Sequence, residues 1–481
     1  MLRFVRRSPI RSAPAAPTRA ARAFGRALRA ALALAPAAAV ALQPVAAAAQ
    51  EGRQAIIRDA EVEQLLRDYA TPVFGAAGIR RGSVQIVLVG DRSFNAFVAD
   101  GRRMFVNVGA LMDAKTPNEM IGVIAHESGH IAGGHLQRMR EQLANAQILA
   151  VAGMLLGAAG VAGAAASGNR VGNAGGGAMG IALGSQEMVK RSLLSYQRSE
   201  EQAADLMAVR FLQAIHQSPK GMLDTFERFN QDAMFKTASI DPYLVSHPMP
   251  NERIANLEQL ARKSPYFDVK DPPALQARHD MARAKLFGFM AKAEEVGRRY
   301  PASDTSRPAR YARAIIAYRY KRLADALSQV DALIREDGAN PYFWELKGQI
   351  LLEFGRSREA VPILRKAVSL APSAGPIRIL LGQALVATES PAAAGEAIRE
   401  LSNAVQREPE WAEGWQHLSR AYGLKGDEGM AAYAAAQAYA AAGDYNAAAT
   451  QATRAKEKLP RNSPGWLKAD DILNARPPKK P

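Results

Sequence analysis

Ala314, Gly348 and Gly382 stand 34 residues apart, and this recurrence of small residues constrains the C-terminal half of the chain more than any local pattern. A fixed period of that length describes one supersecondary unit stacked on copies of itself. No strand-like run follows Pro272, so the unit is a pair of helices whose small residues let them cross closely. Around Gly348 stand Trp344, Leu351 and Phe354; the second helix supplies Ala360 and Ala367, and Pro372 closes the unit. The next copy runs through Gly382, Ala397, Ala404 and Pro409, three residues longer after Gly382, and the insertion is expected in a loop. Trp415, Ser419 and Tyr422 follow. Pro460 lies 51 residues beyond Pro409, one and a half periods, which predicts one additional helix in the Ala-rich stretch 428–442.

The period and its residues are those of tetratricopeptide repeats. Residues 272–476 are therefore expected to form an all-α repeat domain with a concave surface for a protein partner, and 477–481 a short tail. From Gln50 to about 271 the sequence instead mixes helical and strand patterns. VQIVLVG at 84–90, NAFVAD at 95–100 and RMFVNVG at 103–109 are short β-branched or aromatic runs bounded by Gly, Asp and Arg, and predict a small antiparallel sheet. Met120, Ile121, Ile124, Ile131 and Leu136 predict one helix over Asn118–Met139. The fold class is thus α+β: a mainly helical domain with a small antiparallel sheet, followed by an all-α repeat domain.

The net charge of +16 suggests nucleic acid until its distribution is examined. Residues 1–49 hold eight Arg and no acid, leaving +8 for the rest, and no motif interleaves aromatic with basic residues. A nucleic-acid partner is not expected. The same segment passes from its basic part into ALALAPAAAVAL and AAAAQ, the order of an export signal ending near Ala49, so the mature chain is expected to be exported and periplasmic. The uncharged run from Ile148 to Asn169 is long enough to span a bilayer, but Ala and Gly contribute little insertion energy. The insert 148–186 is read as helical segments over the cleft or in peripheral contact with a membrane surface.

AHESGHIAGGH at 125–135 carries the chemistry. His126 and His130, four residues apart, share one helix face and can aim two imidazoles at one cation, while Glu127 reaches the water it activates. Zero Cys excludes thiolate ligands, so the remaining ligand is His or a carboxylate. Zn2+, one per chain, fits a nitrogen and carboxylate set; it acidifies the water and polarises the scissile carbonyl, with Glu127 as general base. His135 follows the second ligand by five residues, where the extended H-E-x-x-H-x-x-G-x-x-H pattern needs six. The rival is a carboxylate on a second helix in LSYQRSEEQAADLMAVRFL at 194–212: Glu201, with adjacent Glu200 an alternative. Asp205, four residues beyond Glu201, is placed to fix the tautomer of a ligand imidazole.

The combination of A-H-E-S-G-H, Q-R-S-E-E-Q-A-A-D and S-H-P-M-P-N-E-R-I resembles the zinc peptidases that include HtpX and the CAAX prenyl proteases. An export signal and C-terminal repeats make nearly all of the mature chain similar to the periplasmic BepA type, the β-barrel assembly-enhancing proteases. The resemblance implies Glu201 as the third ligand, from an E-x-x-A-D motif, with Asp205 as its Asp and Arg198 as its upstream Arg. It places the H-P motif on His247 and Pro248, with Arg253 downstream. His247 and Arg253 are expected to act in catalysis by stabilising the developing oxyanion, and His247 alternatively to occupy the open zinc position and hold the enzyme latent. One acid of the family pattern is missing at Ala203.

The implied function is a zinc metalloendopeptidase acting on misfolded or stalled envelope proteins, with an outer-membrane assembly machinery as the partner the repeats recruit. An extended substrate is expected to pair with the edge of the sheet at RMFVNVG. The competing reading is a repeat-bearing chaperone or scaffold with a vestigial or latent metal site.

Overall fold

The computed structural model describes residues 56–99, 101–145, 194–235, 243 and 246–475. The expected export segment 1–49, the insert 148–186 and the tail 477–481 lie outside the described residues.

Four strands form one sheet: β1 (Ile56–Ile57), β2 (Gln85–Val89), β3 (Ala96–Val98) and β4 (Arg103–Asn107), in the order β1-β2-β4-β3. The expected antiparallel sheet is mixed, because β2 and β4 run parallel, with Gln85 opposite Arg103 and Val89 opposite Asn107. The cause is the loop after β2. It crosses directly over Gly109, where a Cβ would lie 2.2 Å from the Arg92 carbonyl oxygen, and the Gly109 N–H donates to the Asp91 carbonyl. That crossing carries the chain past β4, so β3 folds back onto the outer side of β4 through a turn in which Gly101 has φ of 74°. RMFVN is therefore an interior strand, and the outer strand on that side is β3.

Helix α1 (Ala60–Ala76) covers the sheet, and the short α2 (Val108–Asp113) follows β4. Helix α3 (Pro117–Gly133) starts where the sequence signals it. Thr116 accepts from the Glu119 N–H, Pro117 occupies the first turn, and apolar Met120, Val123 and Ile124 are fully buried. The expected single helix to Met139 is broken at Gly134, which caps α3 in the left-handed conformation, φ 66°. Helix resumes as α4 over 135–145. The second motif helix, α5, spans 194–214; α6 (Lys220–Phe235) and α7 (Asn251–Arg262) complete the group around α3.

Two glycines set the approach of these helices. A Cβ on Gly122 would come within 2.8 Å of the Met222 backbone on α6, and one on Gly129 within 2.8 Å of the Ala204 carbonyl on α5. Only at glycine can α5 cross α3 that closely.

The core beneath the sheet continues past Pro272 into helix α8 (Pro273–Met290), whose Ala282, Leu286 and Phe287 pack in the same cluster as Val62, Val106 and Ile124. Helical pairs follow, spanning Arg307–Arg319 with Leu323–Glu336, Pro341–Glu353 with Ser357–Leu370, and Gly375–Ala387 with Pro391–Arg407. Gly348 and Gly382 lie at the helix crossings, where an added Cβ would sit 2.3 Å from Leu364 and Leu401 side chains. The three extra residues after Gly382 lengthen Pro391–Arg407 to 17 residues, against 14 for Ser357–Leu370, rather than swelling a loop. The Ala-rich helix, Glu428–Ala441, is not a single addition: it pairs with Ala412–Leu424, and a further pair, Tyr445–Lys458 with Pro464–Asn474, closes the described array. The Ala content hides this pair, since a side chain of one methyl can pack on every face and gives no periodic stripe.

The array is tied to the N-terminal domain by charge. Lys285 on α8 is buried, its Nζ 2.8 Å from Asp59 and 3.3 Å from Glu345 of the array. Arg58 pairs with both Glu63 and Glu408 and lies over the Trp411 ring at 4.4 Å.

Candidate metal centre

The crossing of α5 over Gly129 brings one turn of each helix face to face. His126 Nε2 lies 3.1 Å from His130 Nε2 and 3.3 Å from Glu201 Oε2, and His130 Nε2 lies 3.4 Å from Glu201 Oε1. The segment before α7 adds His247, whose Nδ1 is 3.3 Å from His126 Nε2 and 3.1 Å from Glu201 Oε1. Four donors thus lie within 4.8 Å of one another. A tetrahedron with bonds of about 2.0–2.1 Å to zinc has edges of about 3.3 Å, so the spacing, the donor chemistry and the burial all fit one small cation.

The charges support the same reading. Two imidazole nitrogens 3.1 Å apart cannot both carry protons. Burial depresses His126, but Asp205 and Glu201 outweigh it and hold this imidazole up at about 9, while burial and His126 push His130 well below its usual range. Burial opposes ionisation of Glu201, yet His247 and His126 bring its carboxyl well below the usual value. A divalent cation held there would take the place of a proton between the two imidazoles and leave both neutral. Glu127 is buried in the same space, its Oε1 3.4 Å from His247 Nε2 and without a hydrogen-bond partner among the described residues. Burial raises its pKa, with His247 and His126 opposing, which moves it toward the range of a general base working near neutrality.

Behind the donors, Asp205 Oδ1 lies 2.9 Å from His126 Nδ1, where the sequence places it. The Arg253 guanidinium grips both Asp205 oxygens at 2.6 and 2.8 Å and reaches Glu201 Oε2 at 2.8 Å. Arg253 is 3% exposed, and its remaining bond goes to the Pro248 carbonyl. With its nitrogens committed to two carboxylates and a carbonyl, Arg253 holds the acidic side of the site in place. Arg198 is exposed on α5 and, among the described residues, its Nε donates to the Leu194 carbonyl of its own helix at 3.4 Å.

Glu200 and Glu201 are separated by the helix itself: Glu201 is 4% exposed and faces α3, whereas Glu200 turns to Arg138 and His135. His135 is not among the four converging donors, although its Nδ1 touches His130 Nδ1 at 2.9 Å. The sequence reading missed the aromatic floor of the site. Phe226 meets the His126 ring edge-on at 5.5 Å between centroids, and the Tyr243 ring lies 4.6 Å from that of His247. No motif marks either position; only the packing of α6 and the segment before α7 selects them.

Helices that present H-E-x-x-H and an acidic donor to one point, joined to stacked helical hairpins, define a metalloprotease with a protein-interaction array. Residues 57–261 match Peptidase family M48, and residues 311–375 and 351–414 match tetratricopeptide repeats. The chain is 22% identical over 391 residues to the beta-barrel assembly-enhancing protease of Yersinia pestis, covering 79% of this chain and 76% of that protein. It is 22% identical over 333 residues to the protein of that name from Escherichia coli K12, covering 66% of this chain and 64% of the relative. Among solved structures it is similar to YrrB, a TPR protein with an unusual peptide-binding site, at a TM-score of 0.30 and 18% identity, covering 37% of this chain and 92% of that one.

Proposed function

We propose that this protein is an exported, periplasmic zinc metalloendopeptidase that cleaves misfolded or stalled envelope proteins, its repeats recruiting a protein partner of the outer-membrane assembly machinery. The observation that carries the reading is the convergence of His126, His130 and Glu201 from two helices beside a buried Glu127 whose Oε1 has no hydrogen-bond partner among the described residues. The first three would hold Zn2+. When bound, the metal supplies Lewis acidity toward a peptide carbonyl and lowers the pKa of a water. Glu127 takes the proton of that water on its carboxylate and delivers it to the leaving amine nitrogen. Asp205 and Arg253 keep His126 and Glu201 aimed inward.

His247 has a different role in this reading. Its Nδ1 sits at the place of a fourth ligand, so the geometry favours a resting enzyme that substrate must open by displacing His247. An extended substrate can pair with outer strand β3, which lies against α3, and lay its carbonyl over the site. Unfolded segments satisfy this requirement and folded domains do not. The insert 148–186, outside the described residues, is proposed to make peripheral membrane contact.

Glu127→Gln tests the function. Loss of protein cleavage with zinc retained at one per chain is the expected result. Full biological activity of that variant would instead favour the chaperone or scaffold reading.

A further inference from the structure

His130 and His126 are supported differently. His126 has a carboxylate, Asp205, 2.9 Å from its Nδ1. His130 has no acid there; its Nδ1 meets Nδ1 of His135 at 2.9 Å, and Nε2 of His135 lies 2.8 Å from Glu200 Oε2. Arg138 Nη2 in turn holds that Glu200 oxygen at 2.8 Å, and Arg138 Nε bonds the Tyr196 hydroxyl at 3.2 Å. With Nε2 of His130 turned to the metal, its proton resides on Nδ1 and is donated to His135 Nδ1. His135 then carries its own proton on Nε2, facing Glu200. The tautomers are compatible along the whole chain of groups.

The backbone is shaped for this contact. A Cβ on Gly133 would lie 2.1 Å from His135 Nε2, so the imidazole folds back over a position that only glycine leaves open. Gly134, at φ 66°, makes the break between α3 and α4 that swings His135 round. His135 is 5% exposed as a result, although it begins a new helix at the domain surface.

We infer that His135 and Glu200 are positioning residues for the metal ligand His130, forming a carboxylate–imidazole–imidazole chain that fixes its tautomer and ring orientation. The inference rests on the metallopeptidase reading. It also explains the Gly133-Gly134 pair, which neither ligation nor catalysis requires.

The experiment measures zinc affinity of the full chain by competition with a chromogenic chelator, and the visible spectrum of the Co2+-loaded form. Wild type must bind one zinc per chain; if it does not, the metalloprotease reading itself fails. His135→Ala is expected to weaken zinc roughly 10- to 100-fold and to shift the cobalt spectrum. His135→Asn retains an acceptor at the Nδ1 position and is expected to recover most of that loss, which a purely packing role for the ring does not explain. Glu200→Gln, on a partly exposed side chain, leaves the fold intact and is expected to weaken zinc in the same direction by less. Wild-type affinity and spectrum in both His135→Ala and Glu200→Gln would overturn the inference while leaving the metal site standing. Should His135→Ala fail to fold, Glu200→Gln alone decides.

Discussion

Arg253 closes on Asp205 through two parallel contacts, Nε to Oδ2 at 2.6 Å and Nη2 to Oδ1 at 2.8 Å, and both side chains are buried. Burial alone would raise the Asp205 pKa, but Arg253 and His126 outweigh it and bring the carboxyl below its usual value. Removing the guanidinium leaves Asp205 and Glu201 buried without their shared counter-charge. Arg253→Ala is expected to cost about 3–5 kcal/mol in urea unfolding and to lower zinc content. Arg253→Lys should recover little, because an ammonium cannot span both oxygens.

His247 is the position where the latency and oxyanion roles predict opposite outcomes. Its Nδ1 lies at the fourth corner of the donor set, so His247→Ala is expected to raise basal hydrolysis of an unfolded protein substrate. A latch closed nine-tenths of the time hides about tenfold of activity. A rate that falls with unchanged zinc affinity would assign His247 to transition-state stabilisation instead. Steady-state rates with zinc-saturated protein distinguish the two.

His279 predicts a pH dependence away from the metal. It is fully buried on α8, its Nδ1 2.9 Å from the Tyr69 hydroxyl and its Nε2 3.0 Å from the Ala114 carbonyl. Burial lowers its pKa from 6.5 to about 4, against the Ala114 bond. The unfolded chain therefore binds a proton that the native protein refuses between pH 6.5 and 4. Stability present above pH 6.5 is lost as pH falls through that window, by about 3 kcal/mol at most. Glu61 and Glu345, raised by burial, contribute with the opposite sign as pH rises above the ordinary carboxylate range. The His279 part is read as the difference in urea midpoints between wild type and His279→Gln at pH 7 and pH 5, with the variant expected to show the shallower acid loss.

Gly348 gives a prediction for the array. Glycine within a helix is ordinarily improved by alanine by about 1 kcal/mol, but here the new methyl would meet Leu364 carbons at 2.3 and 2.4 Å. Gly348→Val is expected to destabilise the protein by about 1–3 kcal/mol, as overpacking does, with a matching fall in Tm. Gly395, with nothing within 4 Å, is the control: Gly395→Ala should not destabilise.

The H-E-x-x-H turn was legible because its chemistry is local: i and i+4 share a face in any helix, whatever surrounds it. The apolar stripe of Met120, Ile121 and Ile124 announced that helix, and Gly348 and Gly382 announced the repeat, because each signal lies within a few residues or one period. The strand runs were legible, their pairing was not. The parallel partnership of β2 with β4 depends on a loop passing over Gly109, and no strand carries a mark of its neighbour. The partners of Arg253 were hidden for a related reason, since a buried Arg and a substrate-facing one look alike until the carboxylates around it are known.

Sequence by itself determined the kinds of groups available: two imidazoles on one helical face, an acid beside another helical acid, no thiolate, and small residues repeating every 34 positions. Tertiary structure decided which of them meet. Glu201 rather than Glu200 faces the metal position, and His135 turns back to His130, because Gly129 lets two helices cross at backbone contact and Gly133 leaves room for a ring. These are distances between segments far apart along the chain, set by packing that only the folded molecule possesses.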